Sequence, residues 1–209
     1  MARIRCLGDI MYYNEEFKYV LFDIPAIVEQ QKTILWQGDQ GMTRFKESKG
    51  ILRQNPLPNN LTWYFKEYNI FSLCAGQQGF YDIYKGLVEG IRYYFEVTKT
   101  PVPPQLWLQS WINSHKPKDI LKTHNHDWPL HGYISVEPKD SETVFTDNPN
   151  GTELYRIKNK VGQVYFGPGW RFHHVEVLSP FEGERVTYGF DLEYRDRIID
   201  NRGLFPVIL

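Results

Sequence analysis

The 209-residue sequence carries only two cysteines, Cys6 and Cys74, far apart and outside any C-x-x-C spacing. Neither a disulfide framework nor a thiolate zinc site is expected from them, and a reducing compartment suits the chain. No stretch approaches the roughly 18 consecutive apolar residues of a membrane span, and the opening residues, Met1 to Asp9, reach charge before any apolar run, unlike a secretory signal. Charge of one sign is lacking too: 24 Lys and Arg stand against 25 Asp and Glu, a net charge of −1. No global field draws such a chain to nucleic acid or an anionic membrane, so neither partner is expected. Internal repeats and low-complexity tracts are missing. The expectation is a soluble, cytoplasmic protein.

What is abundant is aromatic and apolar: 14 Tyr, 13 Phe and 6 Trp, with 42% hydrophobic residues overall. That composition favours a packed, β-rich or mixed fold, and the length suits a single domain of residues 1–209 with one sizeable core. The stretch up to Phe22 predicts one or two strands. From Asp23, a candidate N-cap, the pattern Ile24, Ile27, Val28, Gln31 predicts a short helix with Pro25 in its first turn. Between Thr33 and Asn60, Gly38, Gly41, Gly50, Pro56 and Pro58 read as loop with short strands, placed to line a substrate cleft. From Gly79 to Val97 apolar residues recur at helical spacing, Phe80, Ile83, Tyr84, Leu87, Ile91, Tyr94 and Phe95, predicting an amphipathic helix that covers a sheet. Pro101, Pro103 and Pro104 end that regime.

After Pro104 the chain turns into short β-like runs: Gln105 to Asn113, Gly132 to Glu137, Glu142 to Thr146, Glu153 to Ile157, Gln163 to Gly167, His173 to Leu178 and Arg185 to Tyr194. Turn-rich pieces such as Asp147 to Gly151 and Pro180 to Gly183 separate them. Regular short strands imply a sandwich, barrel or jelly roll. Residues 1–104 would then supply strands and covering helices, and residues 105–194 the β core.

All six histidines, His115, His124, His126, His131, His173 and His174, lie in this second half. A lone histidine is more often an ordinary surface or core residue than a ligand, but a pair at i, i+2 differs. Along an extended Thr123 to Asp127, His124 and His126 share one face, where both rings can converge on one ion. Further along, Phe166 to Val175 offers His173 or His174 as a third ligand. Alternation favours His173, because the opposite phase would turn Glu176 inward as well. His131 is expected near the site or at the surface, and His115 at the surface. The triplet His124, Asn125, His126 does not indicate an HNH nuclease, whose residues are dispersed through a different motif. Trp107, Trp111, Trp128 and Trp170 read as core and pocket wall rather than as a base-stacking platform, since no basic groove accompanies them.

Taken in order, Trp111–Asn113, His124-Asn-His126, Gly132-Tyr-Ile134, Gly162 to Pro168, His173-His-Val175 and Arg185-Val-Thr187 resemble the 2-oxoglutarate and Fe(II)-dependent oxygenases, in particular a prolyl-hydroxylase-like branch found in bacterial and phage genomes. The resemblance covers Gln105 to Tyr194. It implies a mainly β, double-stranded β-helix (jelly-roll or cupin-like) core with flanking helices. It also implies Fe(II) held by His124, His126 and His173, with 2-oxoglutarate and O₂ as co-substrates. Arg185 would receive the far carboxylate of 2-oxoglutarate through its planar fork. Thr187, on the same face, and Tyr133 would complete the co-substrate pocket, with Trp170 beside it. The activity implied is hydroxylation of a peptidyl residue such as proline, or of a small molecule, with the loops of residues 33–60 and 140–151 deciding which.

One position departs from the pattern: where the family carries a carboxylate, this chain has His126, and Asp127 is one residue out of phase. Three arrangements follow: a three-histidine centre, a site using Asp127 through irregular backbone, or a site that no longer turns over. Two other functions compete with the oxygenase: a cupin-type three-histidine dioxygenase or isomerase that needs no 2-oxoglutarate, and a non-catalytic jelly-roll binding or virion module. Neither the primary substrate nor the oligomeric state can be read from the sequence.

Overall fold

Period-2 alternation decides this architecture, because nearly every strand separates large apolar residues on one face from polar and aromatic residues on the other. The computed structural model describes residues 11–48, 68–119, 121–194 and 203–209. Among these described residues are ten strands: β1 Met11–Asn14, β2 Tyr19–Asp23, β3 Leu106–His115, β4 Leu130–Glu137, β5 Ser141–Thr146, β6 Glu153–Lys158, β7 Gln163–Pro168, β8 Phe172–Val177, β9 Arg185–Glu193 and β10 Phe205–Val207. Two long helices, α1 Pro25–Ser48 and α2 Gln78–Thr98, and a short 3₁₀ helix, Ile70–Ala75, lie among them.

The strands form two antiparallel sheets, one ordered β1-β2-β7-β4-β9-β3-β10 and one ordered β6-β5-β8. The chain crosses between the sheets at short turns, β4 to β5 through residues 138–140 and β7 to β8 through residues 169–171, the winding of a double-stranded β-helix. Thus the fold is mainly β with flanking helices, as expected from the sequence. On β9, Val186, Tyr188, Phe190 and Leu192 meet the helices, whereas Arg185, Thr187, Gly189 and Asp191 face the space between the sheets. β3 and β4 repeat the division: Leu108 and Ile112, then Leu130 and Ile134, join the helix-side core, while Trp111 and His131 line the inter-sheet space. A second apolar cluster, Tyr19, Tyr133, Phe145, Ile157 and Tyr165, fills the other part of that space.

The N-terminal hairpin β1–β2 extends the large sheet through pairing of β2 with β7. Asp23 is the last residue of β2, paired with Gln163, and not the helix cap that its chemistry suggested. The segment beyond Thr33 is also not the expected loop. Residues 33–48 continue α1, with a single break in helical geometry at Gln30 (φ −122°, ψ 20°). Residues 49–60 lie outside the described residues, as do residues 1–10, with Cys6. The glycines that suggested a loop are there for close packing: a Cβ on Gly38 would lie 2.6 Å from the Tyr188 hydroxyl, and one on Gly41 3.1 Å from both Tyr68 and Leu73. α2 matches its predicted span, its stripe of Phe80, Ile83, Leu87, Ile91 and Phe95 fully buried against the sheet. Among the described residues no helix is long and apolar enough to cross a membrane.

Candidate metal centre and its cavity

His124 precedes β4 in irregular chain, yet its backbone is fixed. It exchanges two hydrogen bonds with His173 of β8, N–H to O at 3.0 and 2.8 Å, as a single antiparallel bridge. Two residues on, the His126 N–H donates to the Gly169 carbonyl at 2.9 Å, and the Gly169 N–H to that of Pro129 at 3.0 Å. Gly169 permits this approach, since a Cβ there would stand 2.0 Å from the Trp128 carbonyl oxygen. The segment carrying the two histidines is therefore laced onto the turn that precedes the third.

Each of the three rings is oriented through Nδ1. His124 Nδ1–H donates to the Lys122 carbonyl at 2.8 Å, and His173 Nδ1–H to the Arg171 carbonyl at 3.2 Å. His126 Nδ1 meets the Asp191 carboxylate at 3.1 Å. A carbonyl has no proton to give, so the ring nitrogens facing Lys122 and Arg171 must donate, which leaves Nε2 of those rings with a free lone pair. His126 Nε2 is buried and has no hydrogen-bond partner. Burial lowers the pKa of His124 and drops that of His173 well below the usual histidine value, so both are neutral, as ligation requires.

These rings fit a common ion. Imidazoles bonded to one ion at about 2.1 Å, with angles between about 90° and 115°, have ring centres roughly 4.5–5.5 Å apart, and the three separations here are 4.5, 5.3 and 5.4 Å. A ligand nitrogen from each of the three lies within 4.8 Å of the others. A second set, His126, His131 and Asp191, is equally close in space. Its two rings, however, stack at 3.6 Å and 13°. An ion must lie in the plane of each ring it binds, and rings face to face at 3.6 Å share no such point, whereas His126 and His173, within 5° of parallel, stand 5.4 Å apart, too far for face-to-face stacking. Asp191 instead holds both: it accepts from His131 Nδ1 at 2.8 Å and from His126. Burial alone would raise the Asp191 pKa, but the hydrogen bonds from His126 and His131 outweigh it and hold the carboxyl below its usual value. Burial, with His126 next to it, lowers the pKa of His131 to about 4.

A cavity of about 760 Å³ opens from this centre between the sheets. Arg185, Thr187, Tyr133, Thr143 and Val175 line it together with the three histidines. Arg185 is 3% exposed, and among the described residues no carboxylate pairs with it. Its Nη2 donates to His115 Nδ1 at 3.0 Å. Desolvation lowers its pKa to about 10, so the guanidinium is still charged at neutral pH. The Tyr133 hydroxyl is also buried, with Thr143 beside it and no well-formed hydrogen bond among the described residues. A buried, charged fork beside a phenolic hydroxyl in one cavity can receive an anion.

Measured against the sequence expectations, the structure brings His124, His126, His173, Arg185, Thr187 and Tyr133 into one cavity. His174 points out of it, toward Glu176. Val177, in phase with His173 along β8, is exposed at the strand end. Asp127 is exposed at the cavity mouth and belongs to neither candidate ligand set. Trp170, expected in the pocket, is 57% exposed with its ring against Arg171, outside the cavity wall. His115, expected at the surface, is 3% exposed, because it terminates β3 directly opposite Arg185. Of the two stretches expected to select substrate, residues 33–48 form α1 on the far face of the large sheet, and residues 140–151 contribute only Thr143 to this cavity. Asp191 was not anticipated. The signal was present: steps of two from Arg185 pass through Thr187 and Gly189 to an aspartate set between Phe190 and Leu192.

No protein-family profile matches the sequence, and no curated protein matches it significantly. Comparison of the structure with solved ones does find likenesses. A prolyl-4-hydroxylase from Pseudomonas putida superposes with a TM-score of 0.52 at 8% identity, over 86% of this chain and 89% of that one. An oxidoreductase of the 2OG-Fe(II) oxygenase family from Burkholderia pseudomallei superposes with a TM-score of 0.40 at 15% identity, over 50% of this chain and 52% of that one, so this match spans about half of that oxygenase. At these identities the likeness speaks for the fold. The chain has the double-stranded β-helix fold of the prolyl-hydroxylase-like oxygenases that its sequence resembles.

Proposed function

We propose that the chain is an Fe(II)- and 2-oxoglutarate-dependent oxygenase that hydroxylates its substrate. The observation that carries this reading is the pairing, in one cavity, of three convergent histidines with a buried arginine that has no carboxylate partner among the described residues. His124, His126 and His173 would hold the iron, leaving other coordination positions open to the cavity. Bound there with 2-oxoglutarate and O₂, Fe(II) supplies oxidative decarboxylation to succinate and CO₂ coupled to hydroxylation. Arg185 would grip the far carboxylate of 2-oxoglutarate as a two-point fork, and the Thr187 and Tyr133 hydroxyls would donate to the same anion. Trp111, stacked on His126 at 5.7 Å, walls the centre against water. The shared fold with a prolyl-4-hydroxylase makes a proline-containing peptide the first substrate to assay.

The all-histidine donor set favours one competing reading, a cupin-type dioxygenase that uses no 2-oxoglutarate. That reading leaves without a purpose the burial of Arg185, which has no carboxylate partner among the described residues. Anaerobic titration of metal-free protein with Fe(II) and then 2-oxoglutarate separates the two. The weak visible charge-transfer absorption of chelated 2-oxoglutarate is expected. Iron binding without that absorption would favour the cupin chemistry, and absence of iron binding would remove both.

A further inference from the structure

Asp191 is a buried carboxylate with no lysine or arginine beside it among the described residues. Among the described residues its only ionic partners are His126 and His131, both held through Nδ1. A carboxylate desolvated to this degree is costly unless a positive charge lies close by. What lies on the far side of His126 is the convergence of three ligand nitrogens. Three neutral imidazoles would leave a divalent ion with its full charge of two, where a direct carboxylate ligand would reduce it by one.

We propose that Asp191 is a positioning residue that supplies, through the His126 ring, the negative charge missing from the ligands themselves. The carboxylate has moved one hydrogen bond outward. By accepting the Nδ1 proton it fixes the His126 tautomer, aims Nε2 at the ion and makes the ring a more electron-rich donor. His131 takes the second carboxylate oxygen and blocks rotation of Asp191, assisted by strand register, since His131 and Asp191 are direct partners across β4 and β9. Trp111 lies over both imidazoles, at 5.7 and 6.2 Å, and keeps competing water from the pair.

The inference rests on the metal-centre reading, and its test uses Co(II) as the probe so that binding is seen without turnover. Asp191→Asn keeps the shape and one acceptor while removing the charge. It is expected to weaken Co(II) binding by about 10–100-fold and to raise the Fe(III)/Fe(II) midpoint potential, because the oxidised ion loses more from the missing anion. The double variant His126→Asp/Asp191→Asn returns a carboxylate to the ion directly, and is expected to recover most of the lost affinity. Should Asp191→Asn fold poorly, the isosteric pair Asp191→Glu and Asp191→Gln serves instead: the first is expected to bind Co(II) at least about tenfold more tightly than the second, and equal affinities would overturn the inference. Asp191→Asn binding Co(II) as tightly as the parent would overturn the inference and leave the oxygenase reading standing. So would a double variant as weak as the single one, since Asp191 would then be only a prop for its neighbours. A parent protein that binds no Co(II) would overturn both.

Discussion

Arg185 and His115 face each other across β9 and β3, with Nη2 donating to Nδ1 at 3.0 Å and both residues 3% exposed. An imidazole nitrogen that accepts from a guanidinium must be deprotonated, so His115 is neutral. Burial first, and then the adjacent Arg185 charge, lower its pKa to about 4, with Asp119 opposing. A neutral acceptor orients the arginine without quenching its charge, which a carboxylate in the same place would do. The whole positive charge is thereby left for an anion in the cavity.

Replacing His115 with Asp should therefore convert Arg185 into half of an internal ion pair. The expected outcome is a loss of 2-oxoglutarate affinity of at least about tenfold, approaching that of Arg185→Ala, with metal affinity unchanged in both variants; one charge-assisted hydrogen-bonded pair is worth about 1.5–3 kcal/mol. Calorimetric titration of Ni(II)-loaded protein with 2-oxoglutarate reads this directly. Equal losses of metal and 2-oxoglutarate binding would show that Arg185 serves the fold rather than the anion.

Acid should weaken the metal-free protein early. His115 and His131 both have folded pKa values of about 4 against an ordinary 6.5. Between those values the unfolded chain takes up protons that the folded chain refuses. The stabilisation is thus complete above pH 6.5 and is lost as pH falls toward 4. Each residue contributes at most about 3 kcal/mol over that window. Urea unfolding at a series of pH values should show a steep fall, and His115→Asn should make it shallower by close to one proton. An unchanged slope in that variant would contradict the burial of a neutral His115.

Gly38 offers a test of packing in α1. Alanine ordinarily gains about 1 kcal/mol over glycine inside a helix. Here its methyl would meet the Tyr188 hydroxyl at 2.6 Å, and that hydroxyl donates to the Ile34 carbonyl at 3.1 Å. Overpacking and a strained buried hydrogen bond should outweigh the propensity, giving a net destabilisation of about 1–3 kcal/mol. A thermal melt of Gly38→Ala that moves upward would show that the helix shifts away at no cost.

The same glycines explain where sequence reasoning failed. A glycine required by the chain's own backbone and one required by a neighbour look identical in a string of letters, and Gly38 and Gly41 belong to the second kind. Where alternation was unbroken the strands were legible nearly to the residue: β5, β6, β7, β8 and β9 lie within a residue or so of their expected bounds. The i, i+2 pair His124 and His126 was legible because it needs only local extension. His115 and Asp191 were not, because their roles depend on which strand lies alongside. His115 reads as a surface residue until β9 sets Arg185 opposite it. Asp191 reads as one aspartate in an apolar strand until β4 sets His131 opposite it.

The outer end of the large sheet at β10 carries a further consequence. Pro206, at the middle of that three-residue strand, has no N–H to offer, and its carbonyl is taken by the Tyr84 hydroxyl at 2.7 Å. At that residue the backbone can neither give nor receive, so another extended segment approaching this border finds nothing to register against. Growth of the sheet is therefore blocked along Leu106–Leu108, the stretch of β3 that β10 covers.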